Sequence, residues 1–272
     1  MTAATETGRA YEGTHRALWA LGDYGTVAAE LVAPLGPALV RACGIDAGER
    51  VLDVAAGTGN AALPAALRGA EVVASDLCPD LLARGEAIAR ARGINLRWLE
   101  ANAEALPCRS GEFDAVLSCV GVMFVPHHQP VADELVRVCR PGGVIGLLNW
   151  TPEGFIGQMF ATMKPYVPTP PGAQPATLWG SADHVRTLLG DRITEFTAER
   201  AALRIDHFAD GAAFRDFFKA NYGPTIAAYR GIAEDAARVE ALDSQLAELG
   251  DRHLAGSSTM EWEYLLVTAR KR

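Results

Sequence analysis

Val51-Leu52-Asp53-Val54-Ala55-Ala56-Gly57-Thr58-Gly59-Asn60-Ala61-Ala62 reads as a buried strand that ends in a glycine turn and opens into a helix. The next apolar run ends in Ser75-Asp76. One carboxylate, Asp53, stands four residues before the first glycine, and a second, Asp76, stands 19 residues after it.

Working outward, strand and helix patterns alternate from about residue 50 to 150. The expected strands are Arg50–Ala56, Glu71–Ser75, Leu96–Glu100, Phe113–Ser118 and Gly143–Trp150. Helical stretches fall at Ala61–Arg68, Asp80–Arg92 and Pro130–Arg140, with Gly93 and Pro141-Gly142-Gly143 as stop signals. Such alternation predicts an α/β fold, a doubly wound, mostly parallel Rossmann-like sheet with right-handed crossovers. Residues 1–48 form a helical N-terminal region broken at Pro34 and Gly36-Pro37, residues 49–150 the core, and residues 151–272 a C-terminal cap with closing strands. Within the cap, five prolines between Pro165 and Pro175 mark a loop, and Thr194–Ile205 and Trp262–Thr268 read as strands. Ile232, Ala236, Val239, Leu242, Leu246 and Leu249 recur at helical steps, and Gly250 is the expected stop.

The 272 residues suffice for one large domain, and no run approaches the roughly 18 apolar residues of a membrane helix. Met1 to Gly8 lack the basic start and apolar stretch of a signal peptide. The net charge of −8 leaves only Arg270-Lys271-Arg272 as a basic cluster, read as a solvated end. A nucleic-acid surface is therefore not expected, and a small-molecule partner is. The five scattered cysteines contain no C-x-x-C pair, so reduced thiols in a cytoplasmic protein are expected, without a metal site.

Gly57-x-Gly59-x-x-Ala62 after a strand, with Asp76 at ribose-binding distance, matches the general dinucleotide fingerprint. Glycine lets the backbone turn sharply and approach a ligand, and the following helix offers unpaired N–H groups to an anion. Asp53 changes the balance, because a carboxylate there would repel a pyrophosphate. S-adenosylmethionine instead carries an ammonium and a sulfonium, and its own carboxylate could use the helix N–H groups.

The chain resembles the class I S-adenosylmethionine-dependent methyltransferases, in particular the branch of quinone-biosynthesis and natural-product enzymes. The likeness runs from about Glu49 to Trp150. It rests on the first block, on Ser75-Asp76-Leu77, Ala101-Asn102-Ala103-Glu104-Ala105-Leu106-Pro107 and Phe113-Asp114-Ala115-Val116, and on Arg137-Val138-Cys139-Arg140-Pro141-Gly142-Gly143. The resemblance implies that Asp53 lies near the methionine end, that Gly57 and Gly59 form the cofactor loop, and that Asp76 grips the ribose. It also implies that Leu77 packs on the adenine and that Asn102-Ala103 reads its edge. Ala55, Tyr24 and Ser118 complete the expected cofactor set. Two departures stand out: Ala55 replaces a common glycine, and Asn102 replaces a usual aspartate.

Methyl transfer from a sulfonium is an in-line displacement in which positioning does much of the work, and a base is needed only for an acceptor that carries a proton. The acceptor end should lie beyond the carboxyl ends of the strands. Tyr11, Trp19 and Tyr24, the loop from Cys119 to His128, and an aromatic-rich set in the cap (Phe155, Met159, Phe160, Met163, Trp179, Phe214, Phe217, Phe218 and Tyr222) could reach it. That set points to a bulky, partly apolar acceptor. The candidate catalytic residues are His127 and His128 as bases and Tyr222 to orient a hydroxyl, with the bland alternative that the two imidazoles are an exposed helix start beside a solvated Asp133-Glu134. His184 and His207 are at least as well explained as structural residues. Two rival readings stay open, a nicotinamide-dependent oxidoreductase and a non-catalytic adenosyl-binding protein. Oligomeric state is not legible.

Overall fold

In the computed structural model, which describes residues 12–167 and 172–272, the stretch from residue 50 forms β1 (Arg50–Val54) at the centre of a seven-stranded sheet. β2 (Glu71–Asp76) and β3 (Arg97–Glu100) extend the sheet on one side of it, in parallel. β4 (Phe113–Cys119) and β5 (Cys139–Trp150) extend it on the other, also in parallel. The last two strands, β6 (Ile193–Ile205) and β7 (Met260–Lys271), close that edge, with β7 antiparallel to both β5 and β6. The order is β3-β2-β1-β4-β5-β7-β6, so the chain reverses its direction of winding between β1 and β4. The doubly wound, mostly parallel α/β sheet read from the sequence is the one that forms.

Before β1 come α1 (residues 12–19), α2 (Tyr24–Val27), a π-helical turn at Ala28–Val32, and α3 (Leu35–Ala42). The crossovers are α4 (Ala62–Leu67), α5 (Pro79–Ala91) and α6 (His128–Val138). The cap contributes α7 (Phe155–Met163), α8 (Ala182–Leu189), α9 (Gly211–Asn221), α10 (Gly223–Gly231) and α11 (Ala236–Leu254). One apolar cluster runs from Val27 and Leu39 through β1, β4 and β5 to Phe214, Leu246 and Trp262, so the cap shares the core of the sheet. Tyr11 and the prolines Pro168, Pro170 and Pro171 lie outside the described residues.

Three readings need correction. Gly250 does not stop α11, which runs on to Leu254 and ends at Ala255 in the left-handed conformation (φ 44°). A Cβ at Gly250 would come within 2.6 Å of Gly211 Cα, so this glycine lets α9 and α11 cross closely. Ile232 is buried in the turn before α11 and is not part of it. Pro34 does precede α3, yet Gly36-Pro37 sits inside its first turn, where a proline lacks nothing the helix needs.

Arg270-Lys271-Arg272 is a solvated end at Arg270 and Arg272, and it also laces the sheet margin. Arg270 pairs with Glu195 at 3.0 Å, Lys271 Nζ donates to the Cys139 carbonyl at 2.8 Å, and Arg272 Nε donates to the Ile193 carbonyl at 3.0 Å. Asp133 and Glu134 are also engaged: Asp133 pairs with Arg192 at 2.6 Å, and Glu134 takes Arg137 and the Leu106 N–H, both at 2.6 Å. All five cysteines are unpaired, and all but Cys108 are buried.

At the amino ends of the strands, Asp114 accepts the Arg50 N–H at 2.8 Å and Arg140 Nε at 2.6 Å, which ties β1, β4 and β5 together. No helix among the described residues is long and apolar enough to cross a membrane, and no cluster of three or more metal-ligating residues occurs among them.

Candidate active site

A cleft of about 760 Å³, part of it open to solvent, lies at the carboxyl ends of β1, β2, β3 and β4, where the winding reverses. Its wall takes Ala55 to Thr58 and Asn60 from the loop after β1, Asp76 and Leu77 from the end of β2, Ala101 to Ala103 after β3, and Cys119 to Gly121 after β4. His15, Trp19, Tyr24 and Ala28 cover it from the N-terminal helices. The loop after β1 turns at Gly57 (φ 56°), a conformation that suits a residue without Cβ.

Two non-glycine residues of the cleft wall also adopt positive φ, where a side chain makes it costly. Ala55 (φ 54°) and Val120 (φ 54°) follow the ends of the adjacent strands β1 and β4, and both line the cleft. A β-branched valine there is a genuine outlier, and strain of this kind gathers at ligand sites. The methyl group that Ala55 adds faces Gly121, where any Cβ would come within 2.8 Å of it.

Asp76 does more than face the cleft. Its Oδ2 accepts the Gly57 N–H and its Oδ1 the Cys78 N–H, each at 2.8 Å, so it fastens the glycine turn to the end of β2. Each oxygen keeps a second lone pair for a ligand hydroxyl. Burial raises its pKa.

Asp53 is 1% exposed and is not part of the cleft wall. Its Oδ2 accepts the Ala62 N–H at 2.8 Å, which caps α4. The helix start expected to offer free N–H groups to an anion is therefore already served by the chain's own carboxylate. Oδ1 is buried with no partner among the described residues. Burial pushes the Asp53 carboxyl up to about 7, with the nearby Asp76 charge adding to it and the bond from Ala62 opposing it.

Asn102 lines the cleft, but its side chain is engaged: Oδ1 accepts the Glu104 N–H at 2.8 Å and Nδ2 donates to Glu12 Oε1 at 2.8 Å. An aspartate at 102 would set two carboxylates against each other, which is a physical reason for the amide. Ser118 and Gly59 are corrected, since neither is in the wall. Ser118 Oγ donates to the Val54 carbonyl at 2.8 Å and accepts the Val122 N–H at 3.0 Å, which binds β4 to β1. Gly59 lies under Trp98, 3.0 Å from where its Cβ would be.

Of the catalytic candidates, neither His127 nor His128 lines the cleft. His127 is half exposed, with Nδ1 2.9 Å from Glu104 Oε1. His128 is buried, its Nδ1 2.9 Å from His184 Nε2 and its ring against Trp179. Its pKa is pushed down to about 4 by burial, with the neighbouring imidazoles adding to the effect.

Tyr222 stands instead beside a narrow second chamber behind Tyr24, Val120 and Phe124, which line both spaces. Trp19 joins the partition, 5.3 Å from Tyr24, 4.8 Å from Phe124 and 5.9 Å from Tyr222 between ring centres. Such edge-on pairs are worth about 0.5–1.5 kcal/mol each beyond the area they bury.

The aromatic set of the cap divides. Met159, Phe218 and Tyr222 line the second chamber, Phe155 and Phe214 are buried behind it with Trp262, and Trp179 lies with His128. His207 packs on Phe217, 3.5 Å from Glu30. His15 was not among the candidates although it lines the cleft; the signal was its place one helical turn before Trp19. Burial pushes its pKa down to about 4.

A protein of Mycobacterium tuberculosis (strain ATCC 25618 / H37Rv), named only as uncharacterized, is 55% identical over 259 residues, 95% of this chain and 94% of that one. The demethylmenaquinone methyltransferase of Thermus thermophilus is 44% identical over 116 residues, 41% of this chain and 53% of that one. Residues 51–143 match the profile of a methyltransferase-domain family. The chain carries a methyltransferase domain of the class I type. Among solved structures of the same fold, a putative methyltransferase from Bacillus halodurans superposes with a TM-score of 0.56 at 19% identity, over 87% of this chain and 98% of that one. In this methyltransferase the matched segment begins inside β1 and ends inside β5, so it covers every strand end that opens on the cleft.

Proposed function

We propose that the protein binds S-adenosylmethionine in the cleft and transfers its methyl group to a small, bulky and partly apolar acceptor. The observation that carries this reading is the placement of Asp53. It caps α4 through Ala62, while the Gly57 N–H goes to Asp76 and the Gly59 N–H to the Ala56 carbonyl. A pyrophosphate at this turn would find those donors taken and two buried carboxylates nearby. A ligand bearing ammonium and sulfonium charges fits the same surroundings, because a cation draws a buried carboxyl toward its ionised form. Asp53 Oδ1, buried and without a hydrogen-bond partner among the described residues, is the group such a charge would satisfy.

When bound, the cofactor supplies a methyl group on a positively charged sulfur. Asp76 would hold the ribose hydroxyls, and Leu77 and Ala101 to Ala103 would bound the adenine. Trp19, Tyr24 and Phe124 exclude water from the partition between cleft and chamber, which strengthens electrostatic interactions there. The aromatic side chains that border the cleft, Trp19, Tyr24 and Phe124, support a partly apolar acceptor.

Calorimetric titration with S-adenosylmethionine and with NAD tests the cofactor. Tight binding of the first and none of the second is expected, and the reverse would remove this reading. Release of adenosylhomocysteine in the presence of a library of ring-bearing acceptors tests transfer, and its absence across the library would favour a silent binding protein.

A further inference from the structure

Position 102 holds an amide where class I methyltransferases usually carry an aspartate, and the structure shows what accompanies the change. Asn102 follows β3 by two residues and lines the cleft with Leu77 and Ala101. The helix α1 reaches this same corner at two points. Asn102 Nδ2 donates to Glu12 Oε1 at 2.8 Å, and Arg16 pairs at 2.7 Å with Glu100, the last residue of β3. Glu12 and Arg16 stand one helical turn apart, as do His15 and Trp19, which line the cleft.

The two bonds of the Asn102 side chain agree on which way its amide faces. A backbone N–H can only donate, so that of Glu104 requires Oδ1. A carboxylate can only accept, so Glu12 requires Nδ2. Among the described residues this leaves one lone pair on Oδ1 and one hydrogen on Nδ2. Adenine offers the matching set, an amino donor at C6 beside an acceptor at N1. Hypoxanthine, with an oxygen at C6 and a hydrogen on N1, offers the reverse. It pairs only with the amide turned over, which sets Nδ2 against the Glu104 N–H and Oδ1 against the Glu12 carboxylate.

We propose that Glu12 is a positioning residue for the cofactor: it holds the Asn102 amide in the orientation that accepts adenine and rejects a purine with an oxygen at C6. The proposal rests on the cofactor reading above. It adds a determinant from α1, outside the matched segment 51–143. It also accounts for the amide at 102, since a carboxylate there would face Glu12 and would offer adenine no donor.

Calorimetric titrations of the full chain with S-adenosylhomocysteine and S-inosylhomocysteine, whose purines are adenine and hypoxanthine, test it. The parent should hold the adenosyl ligand about 10- to 100-fold more tightly. Glu12→Gln keeps an acceptor for Nδ2, yet its own amide can turn to donate. It should bind the adenosyl ligand within about twofold of the parent and the inosyl ligand about three- to tenfold more tightly than the parent. A role for Glu12 in merely fastening α1 would weaken both ligands together and keep their ratio, and that result would overturn the proposal. Asn102→Asp should weaken the adenosyl ligand about tenfold, and adding Glu12→Gln should recover at least about threefold. Losses that simply add would also overturn it. Each variant is compared at unchanged circular dichroism. If S-adenosylhomocysteine does not bind the parent, the cofactor reading falls and takes this proposal with it. If it binds and Glu12→Gln leaves the ratio unchanged, this proposal falls alone.

Discussion

Asp53 carries opposite consequences for stability and for binding. Its folded pKa of about 7 lies above the ordinary 3.8, so between these values the folded chain holds a proton that the unfolded chain has released. Stability from this group is fully present below pH 3.8 and is lost as pH rises through about 7, a difference on the order of 4 kcal/mol. Asp53→Asn should therefore melt higher than the parent at pH 8, with the gap closing below pH 5. It should also weaken S-adenosylmethionine tenfold or more, as read by calorimetry; equal melting at pH 8 would contradict the burial argument. The histidines make a complementary case. His127→Ala should leave methyl transfer within about twofold of the parent, because the side chain faces Glu104 outside the cleft. His128→Ala should cost about 2–3 kcal/mol in a urea melt, since it opens a cavity beside Trp179 and removes the partner of His184, while turnover per folded molecule holds.

At the scale of elements, α9 and α11 depend on the contact between Gly211 and Gly250. Gly250→Leu should force the helices apart and cost about 2–4 kcal/mol, because overpacking a close crossing displaces backbone. Cofactor affinity should be unchanged, since neither helix lines the cleft, and a urea melt beside a calorimetric titration separates the two effects. The periodicity of α11 was legible in its leucines, whereas the meaning of Gly250 was not. In one dimension a glycine that ends a helix and a glycine that admits another helix look alike. Strands β1 to β4 were legible to within about two residues, because short apolar runs between turn residues have few other uses. β5 begins earlier than Gly143 suggested, since Cys139 pairs with Phe113 and the Pro-Gly-Gly turn is taken up as an irregularity in the ladder.

For the whole molecule, the two ends of the sheet are built differently. The amino ends are braced by Asp114 between Arg50 and Arg140. The carboxyl ends carry the strained Ala55 and Val120, the buried carboxylates and both cavities. Asp114→Ala should cost about 1–3 kcal/mol by leaving the Arg50 N–H without its acceptor. It should leave the affinity for S-adenosylmethionine unaltered, and a matched loss of affinity would mean that the two ends are coupled. The cap is tied into the same core, so urea should unfold the chain in one transition when followed by tryptophan fluorescence and by circular dichroism.

Sequence by itself determined the alternating order of elements, the strand-turn-helix with its two carboxylates, and the family. These are local signals, written in neighbouring residues and in fixed spacings. Only the tertiary structure decided where the side chains of that motif point: Asp53 into the start of α4, Ser118 onto the Val54 carbonyl, and His128 under Trp179. It alone set His15 on the cleft and separated the aromatic residues of the cap into a chamber wall and a core. The reason is that a side chain's partner across the sheet is fixed by pairing and packing between residues distant in the chain, and no local pattern records which of its neighbours it will meet.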